Sequence, residues 1–155
     1  MSQLRERTVR PIPDEAMLDE PRARRPGRGS TFLRTLGALA VLVVGAVHLE
    51  QYVAVHFGVV PVVGPLFALD FAGATVIGVG LLVPLTRMRV LHRLLALGGI
   101  GLGATAFVFL FVSEHQPLFG FQDHGYRAAI VVALVAEAAA VVLLGFYLVA
   151  DLRRG

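Results

Sequence analysis

The sequence predicts an all-α fold, a transmembrane four-helix bundle, on three observations. Apolar residues make up 56% of the 155 residues and charged residues only 16%, with a mean hydropathy of +0.73. A water-soluble domain of this size cannot hide that much apolar surface. The apolar residues gather into four runs, and roughly 20 residues at ~1.5 Å each cover the ~30 Å hydrocarbon core of a bilayer. The 14 basic residues, all arginine, collect in the flanks of alternate runs, the pattern of charges held on one side of a membrane.

Residues 1–31 are predicted to be a disordered, Arg/Pro-rich cytoplasmic tail. Arg5, Arg7, Arg10, Arg22, Arg24, Arg25 and Arg28 are mixed there with Asp14, Glu15, Asp19, Glu20 and four prolines, without apolar periodicity. Residues 32–155 form the four-helix transmembrane domain. No small-x-small cleavage pattern follows the first apolar run, so that run is expected to act as a signal anchor.

The first span covers about 35–53 and ends in His48, Glu50, Gln51 and Tyr52. The next stretch, VAVHFGVVPVVGP, is broken by Gly58, Pro61, Gly64 and Pro65 and reads as a short connector at the outer interface. Pro65 suits the first turn of the second span, about 65–85, which contains Asp70. A basic connector with Arg87, Arg89, His92 and Arg93 is short enough to make its flanking helices antiparallel neighbours. The third span covers about 94–112. A second outer connector, SEHQPLFGFQDHG, leads to the fourth span, about 126–149, which contains Glu137.

Arginine counting sets the orientation. The tail, the middle connector and the carboxyl end hold every arginine except Arg127, so both termini are expected on the cytoplasmic side. That distribution also explains the pI of 10.2 without nucleic acid as a partner. The expected partners are the lipid bilayer and either further copies of the chain or another membrane protein. Small residues at helical spacing, Gly99 with Gly103, Ala74 with Gly78, and Ala129, Ala133, Ala136 and Ala140, provide faces for close helix contact. Each half reads helix, connector, helix, a pattern compatible with a 2+2 parallel repeat, although residue identities between the halves are too few to require one.

Depth along the spans follows from the rise per residue. His48 lies ~21 Å beyond Arg34, Asp70 ~26 Å beyond Arg87 and Glu137 ~24 Å beyond Arg153, which places three ionisable groups in one layer of the outer half. Thr105 is the polar residue of the third span at that depth. A lone charge there costs ~2.5–3.5 kcal/mol, so these side chains are expected to face the bundle interior and each other. A carboxyl group in this layer either keeps its proton or pairs with imidazolium at His48. Two readings follow: hydrogen bonding across helices by His48, Asp70 and Glu137, or a ligand-binding or proton-handling pocket open to the outer face. Gln51 and Tyr52 share the helix face of His48 at i+3 and i+4 and are further candidates for a polar headgroup or quinone carbonyl. Arg127 is expected to reach outward or pair with Asp123 or Glu114.

The outer rim holds weak metal candidates: His56, His115 and His124 with Glu50, Glu114 and Asp123. Imidazole and carboxylate suit zinc or copper, but no tight spacing such as HxH occurs. Haem held by paired histidines and a quinone are lesser alternatives, and no cofactor is predicted. The absence of cysteine excludes disulfides, thiolate metal sites and dithiol redox chemistry. No nucleophile with its base, phosphate loop or nucleotide motif is present, so no catalytic residue is assigned and an enzyme is the less favoured class.

The runs G-A-V-H-L-E-Q-Y (45–52), V-P-V-V-G-P-L-F (60–67) and L-F-G-F (118–121), with Glu137 on the last helix, carry a resemblance. Over about residues 36–149 the chain is similar to a group of small, uncharacterised four-helix membrane proteins of actinobacteria that share an H-L-x-Q-Y run. In that group a glycine-phenylalanine-arginine sequence opens the last helix; here Q-D-H-G-Y-R (122–127) interrupts it. The resemblance implies topology and a cell-membrane location and brings no activity with it. A looser likeness to DoxX-type membrane proteins is architectural only.

Overall fold

The computed structural model describes residues 28–84, 88–117, 119–120 and 127–154. Four helices follow one another: α1 (Arg28–Val53), α2 (Val63–Leu82), α3 (Arg89–His115) and α4 (Ala128–Leu152), with a short 3-10 turn at Phe57–Val59 between the first two. Each of the four is long and apolar enough to cross a membrane. The chain is therefore an all-α transmembrane four-helix bundle.

The helices overrun the apolar spans at most ends. α1 begins at Arg28, so residues 28–31 belong to it rather than to the tail, and Ser30 is buried. α3 begins at Arg89 because its first turns carry polar groups with partners on other helices, and it runs on to His115. α2 is shorter than its span and ends at Leu82. Val83, the residue before Pro84, turns extended at φ −66° and ψ 129°, since a following proline disfavours helical backbone. Gln116 before Pro117 stops α3 in the same way, at φ −154° and ψ 152°. Residues 1–27 and the start of the fourth span at Tyr126 lie outside the described residues.

The bundle runs in the order α1, α2, α3, α4 around its perimeter. α1 makes the largest contacts, with α2 and α4, and α2 with α3 is the lightest of the four adjacent pairs. Close approach depends on the small residues. Leu144 of α4 fills the space left by glycines on two other helices: a Cβ on Gly37 or Gly99 would lie 2.5 or 2.7 Å from its side chain. Gly45 faces Ala74 across α1 and α2, and a Cβ on Gly103 of α3 would lie 3.2 Å from the Glu137 carbonyl oxygen. The core is thus alanine, glycine, Val41, Leu81 and Leu144, with Tyr147 at one end. Outward faces are apolar instead: Leu69 and Val76 are each 67% exposed and Val135 is 65% exposed. Such an inside-out distribution suits lipid as the surrounding solvent.

The connector 54–62 is tight. Gly64 sits so close to the Gly58 carbonyl oxygen that a Cβ would approach it to 2.7 Å. His56 and Val62 adopt positive φ angles of 64° and 68°, a strained backbone for a β-branched residue such as Val62. This turn caps one end of the bundle above the candidate site.

Candidate functional site

The late turns of α1 and α3 and the early turns of α2 and α4 lie at the same end of the bundle, opposite Arg28, Arg34, Arg89, Arg93, Arg153 and Arg154. They enclose a cavity of about 160 Å³ whose wall includes His48, Gln51, Asp70, Thr105 and Glu137. Five of the six ligand or proton candidates read from the sequence therefore meet in one space. Tyr52 does not: its ring lies against Gly58 in the connector, where it supports the turn.

His48 is buried and held at both ring nitrogens. Nδ1 lies 2.8 Å from the Val44 carbonyl oxygen, one turn back on α1. A carbonyl only accepts, so Nδ1 carries a hydrogen and donates it. Nε2 lies 3.3 Å from Oδ2 of Asp70 on α2. A hydrogen bond there needs one more proton, carried by the ring or by the carboxyl. The pair shares it as imidazolium with carboxylate or as imidazole with carboxylic acid. Phe67 packs edge-on against the imidazole at 5.2 Å between ring centres.

Glu137 of α4 stands differently. It is 1% exposed, and its Oε2 is buried without a hydrogen-bond partner. Among the described contacts His48 pairs with Asp70, and Glu137, a residue of the cavity wall, has a buried oxygen without a hydrogen-bond partner. Such an atom is costly when nothing meets it.

Gln51 links two charges at the rim. Its Nε2 donates to Oε2 of Glu50, and its Oε1 accepts a long, 3.5 Å bond from Nη2 of Arg127. The Arg127 guanidinium also sits 5.8 Å from the centre of the Phe57 ring. Arg127 thus touches Gln51 and Phe57 at the rim, and Asp123, one of the two carboxylates expected as its partner, lies outside the described residues.

The wall also contains residues that the sequence reading passed over. Ser113 and the rings of Phe57, Phe67, Phe109 and Phe119 line it, and Ser113 Oγ donates to the Leu110 carbonyl oxygen at 2.8 Å. Thr105, Phe109 and Ser113 recur at intervals of four, one stripe of α3, and that period was the available signal. The described rim metal candidates do not converge. Among the described residues no group of three His, Asp or Glu side chains could hold a metal ion. His115 Nδ1 donates to the Phe111 carbonyl oxygen, Glu114 Oε1 is buried without a partner, and His56 is exposed in the turn. His124 and Asp123 lie outside the described residues.

A second polar cluster closes the opposite end. Arg34 Nη1 of α1 donates to Nε2 of His92 on α3 at 2.6 Å and to the Val83 carbonyl oxygen after α2 at 3.3 Å. With Nε2 accepting, its 3.0 Å approach to Val83 O is a polar contact rather than a bond. Arg93 Nε donates to Oδ2 of buried Asp151 on α4 at 2.8 Å. These contacts join all four helices at the arginine-rich end, so Arg34 and Arg93 hold partners as well as carrying topological charge. No family model matches the chain, and no curated protein or solved structure matches it.

Proposed function

We propose that this chain is a multi-pass protein of the bacterial inner membrane, with both termini cytoplasmic, that binds a small ligand in the cavity at its outer end. The observation that carries this reading is the buried, unpartnered carboxyl oxygen of Glu137 on the wall of a cavity that also holds the His48–Asp70 pair. A bundle serving only as scaffold or assembly partner gains nothing from burying ionisable groups beside a largely apolar cavity, since apolar side chains there avoid the desolvation cost. A cavity of about 160 Å³ is close to the ~150 Å³ engineered apolar cavity that takes up benzene. Orientation rests on the arginine distribution.

A second reading is a proton-coupled transport or redox component. The proton shared by His48 and Asp70 favours it, because such a pair passes a proton on with little rearrangement. Four helices provide a path across the membrane only as an oligomer, so this reading also requires assembly with further copies.

Purification of the full chain in mild detergent, followed by mass spectrometry, absorption spectroscopy and metal analysis, tests the proposal. The expected result is a small organic molecule at near one per chain, lost from the cavity-filling variant Ala133→Leu. An identical, ligand-free result for both proteins contradicts it. Haem, copper or a quinone at that ratio moves the assignment to the second reading.

A further inference from the structure

The hydrogen-bonding groups of the cavity wall show which partner it lacks. Three of its side-chain donors are engaged, His48 Nδ1 on Val44 O, Gln51 Nε2 on Glu50 and Ser113 Oγ on Leu110 O, and Thr105 adds a hydroxyl on the exposed side. The Gln51 oxygen is engaged too, by Arg127. What remains are two carboxyl groups, Asp70 with its contact to His48 and Glu137 with a buried oxygen that has no partner. Four phenylalanine rings, Phe57, Phe67, Phe109 and Phe119, complete the wall, and aromatic faces attract cations. No arginine lines the cavity; Arg127 meets Gln51, which also donates to Glu50.

The opening also has a direction. α2 and α3 make the lightest contact of the adjacent helix pairs, and between them Asp70 has a side chain 32% exposed and Thr105 is exposed although both line the cavity. At this depth that gap faces acyl chains. We infer that the cavity takes the head of an amphipathic amine, an N–H-bearing alkylammonium whose apolar chain lies in the bilayer between α2 and α3. The ammonium donates to Glu137 Oε2 and Asp70, a charge-assisted bond on an otherwise unmet acceptor. This assignment rests on the ligand-binding reading above and names the ligand's class.

The test titrates octylamine, octanol and octanoate into the full chain in phosphatidylcholine nanodiscs, with thermal melting as the readout. Octylamine is expected to act at a concentration about tenfold lower than octanol, and Glu137→Gln is expected to remove that advantage while leaving the octanol response unchanged. Equal or stronger action by octanol or octanoate overturns the amine assignment, as does an octylamine preference that survives Glu137→Gln. Ala133→Leu separates this failure from the broader one. Octanol or octanoate responses abolished by Ala133→Leu leave the ligand-binding reading standing, whereas no difference between wild type and Ala133→Leu for any probe overturns both. Repeating the titration with phosphatidylethanolamine present identifies the source of the amine. Competition supports a lipid headgroup, and an unchanged octylamine response supports a free amphiphile.

Discussion

His48 has partners at both ring nitrogens, whereas Glu137 keeps a buried oxygen with none, and the two residues bear on stability in opposite directions. Hydrogen bonds between membrane helices contribute ~0.6 kcal/mol on average and at most ~1.7 kcal/mol. An unsatisfied buried polar group instead costs ~1–3 kcal/mol. In thermal melts of the detergent-purified protein, His48→Leu is expected to destabilise the bundle by about 1–2 kcal/mol, because it strands Asp70. Glu137→Leu is expected to melt at or above the wild-type temperature. A strongly destabilised Glu137→Leu would mean that this carboxyl has a structural partner. Counting depth brought His48, Asp70, Thr105 and Glu137 to one level, because helical rise converts sequence distance into height. It says nothing of rotation about the helix axis. Depth alone leaves the pairing of His48 with Asp70 open, and the i+4 spacing that groups Tyr52 with His48 fails because α1 ends one residue later and the Tyr52 ring turns to Gly58 in the connector.

Among the elements, the spacing of small residues was the most legible feature. The Gly99–Gly103 and Ala74–Gly78 pairs each lie on a helix contact, as their spacing predicts. What each glycine touches was not readable, and that decides its importance. A Cβ at Gly64 meets backbone oxygens of Phe57 and Gly58 at 2.9 and 2.7 Å, whereas one at Gly101 meets nothing within 4 Å. Gly64→Ala is therefore expected to lose about 1–3 kcal/mol through overpacking of a turn that cannot yield. Gly101→Ala is expected to be neutral or to gain up to about 1 kcal/mol from helix propensity. Comparable melting of the two variants would show that the connector is looser than described. Proline sets the ends at Leu82 and His115, before Pro84 and Pro117, whereas the apolar runs put them at about 85 and 112. At Arg28 and Arg89 polar residues continue the helix beyond the apolar run.

The whole molecule is divided between its two ends. At one, Arg34, His92, Arg93 and Asp151 tie the helices together; at the other, a few polar side chains sit in the wall of a largely apolar cavity. Composition and arginine placement made the four-span bundle legible, because the hydrocarbon core dictates helix length and apolarity. The cavity was not legible, since it is a property of packing among four helices rather than of any one. Because the chain has no cysteine, a single introduced thiol reports on that space without background. Ala133 of α4 is on the cavity wall, and Ala140, two turns further along the same helix, is fully buried in the core. The most direct measurement adds a small, membrane-impermeant, positively charged methanethiosulfonate reagent to the outside of intact cells carrying Ala133→Cys or Ala140→Cys. The account expects Ala133→Cys to be modified and Ala140→Cys to remain unreactive. Two equally unreactive thiols, or modification of Ala133→Cys from the cytoplasmic side only, would contradict it.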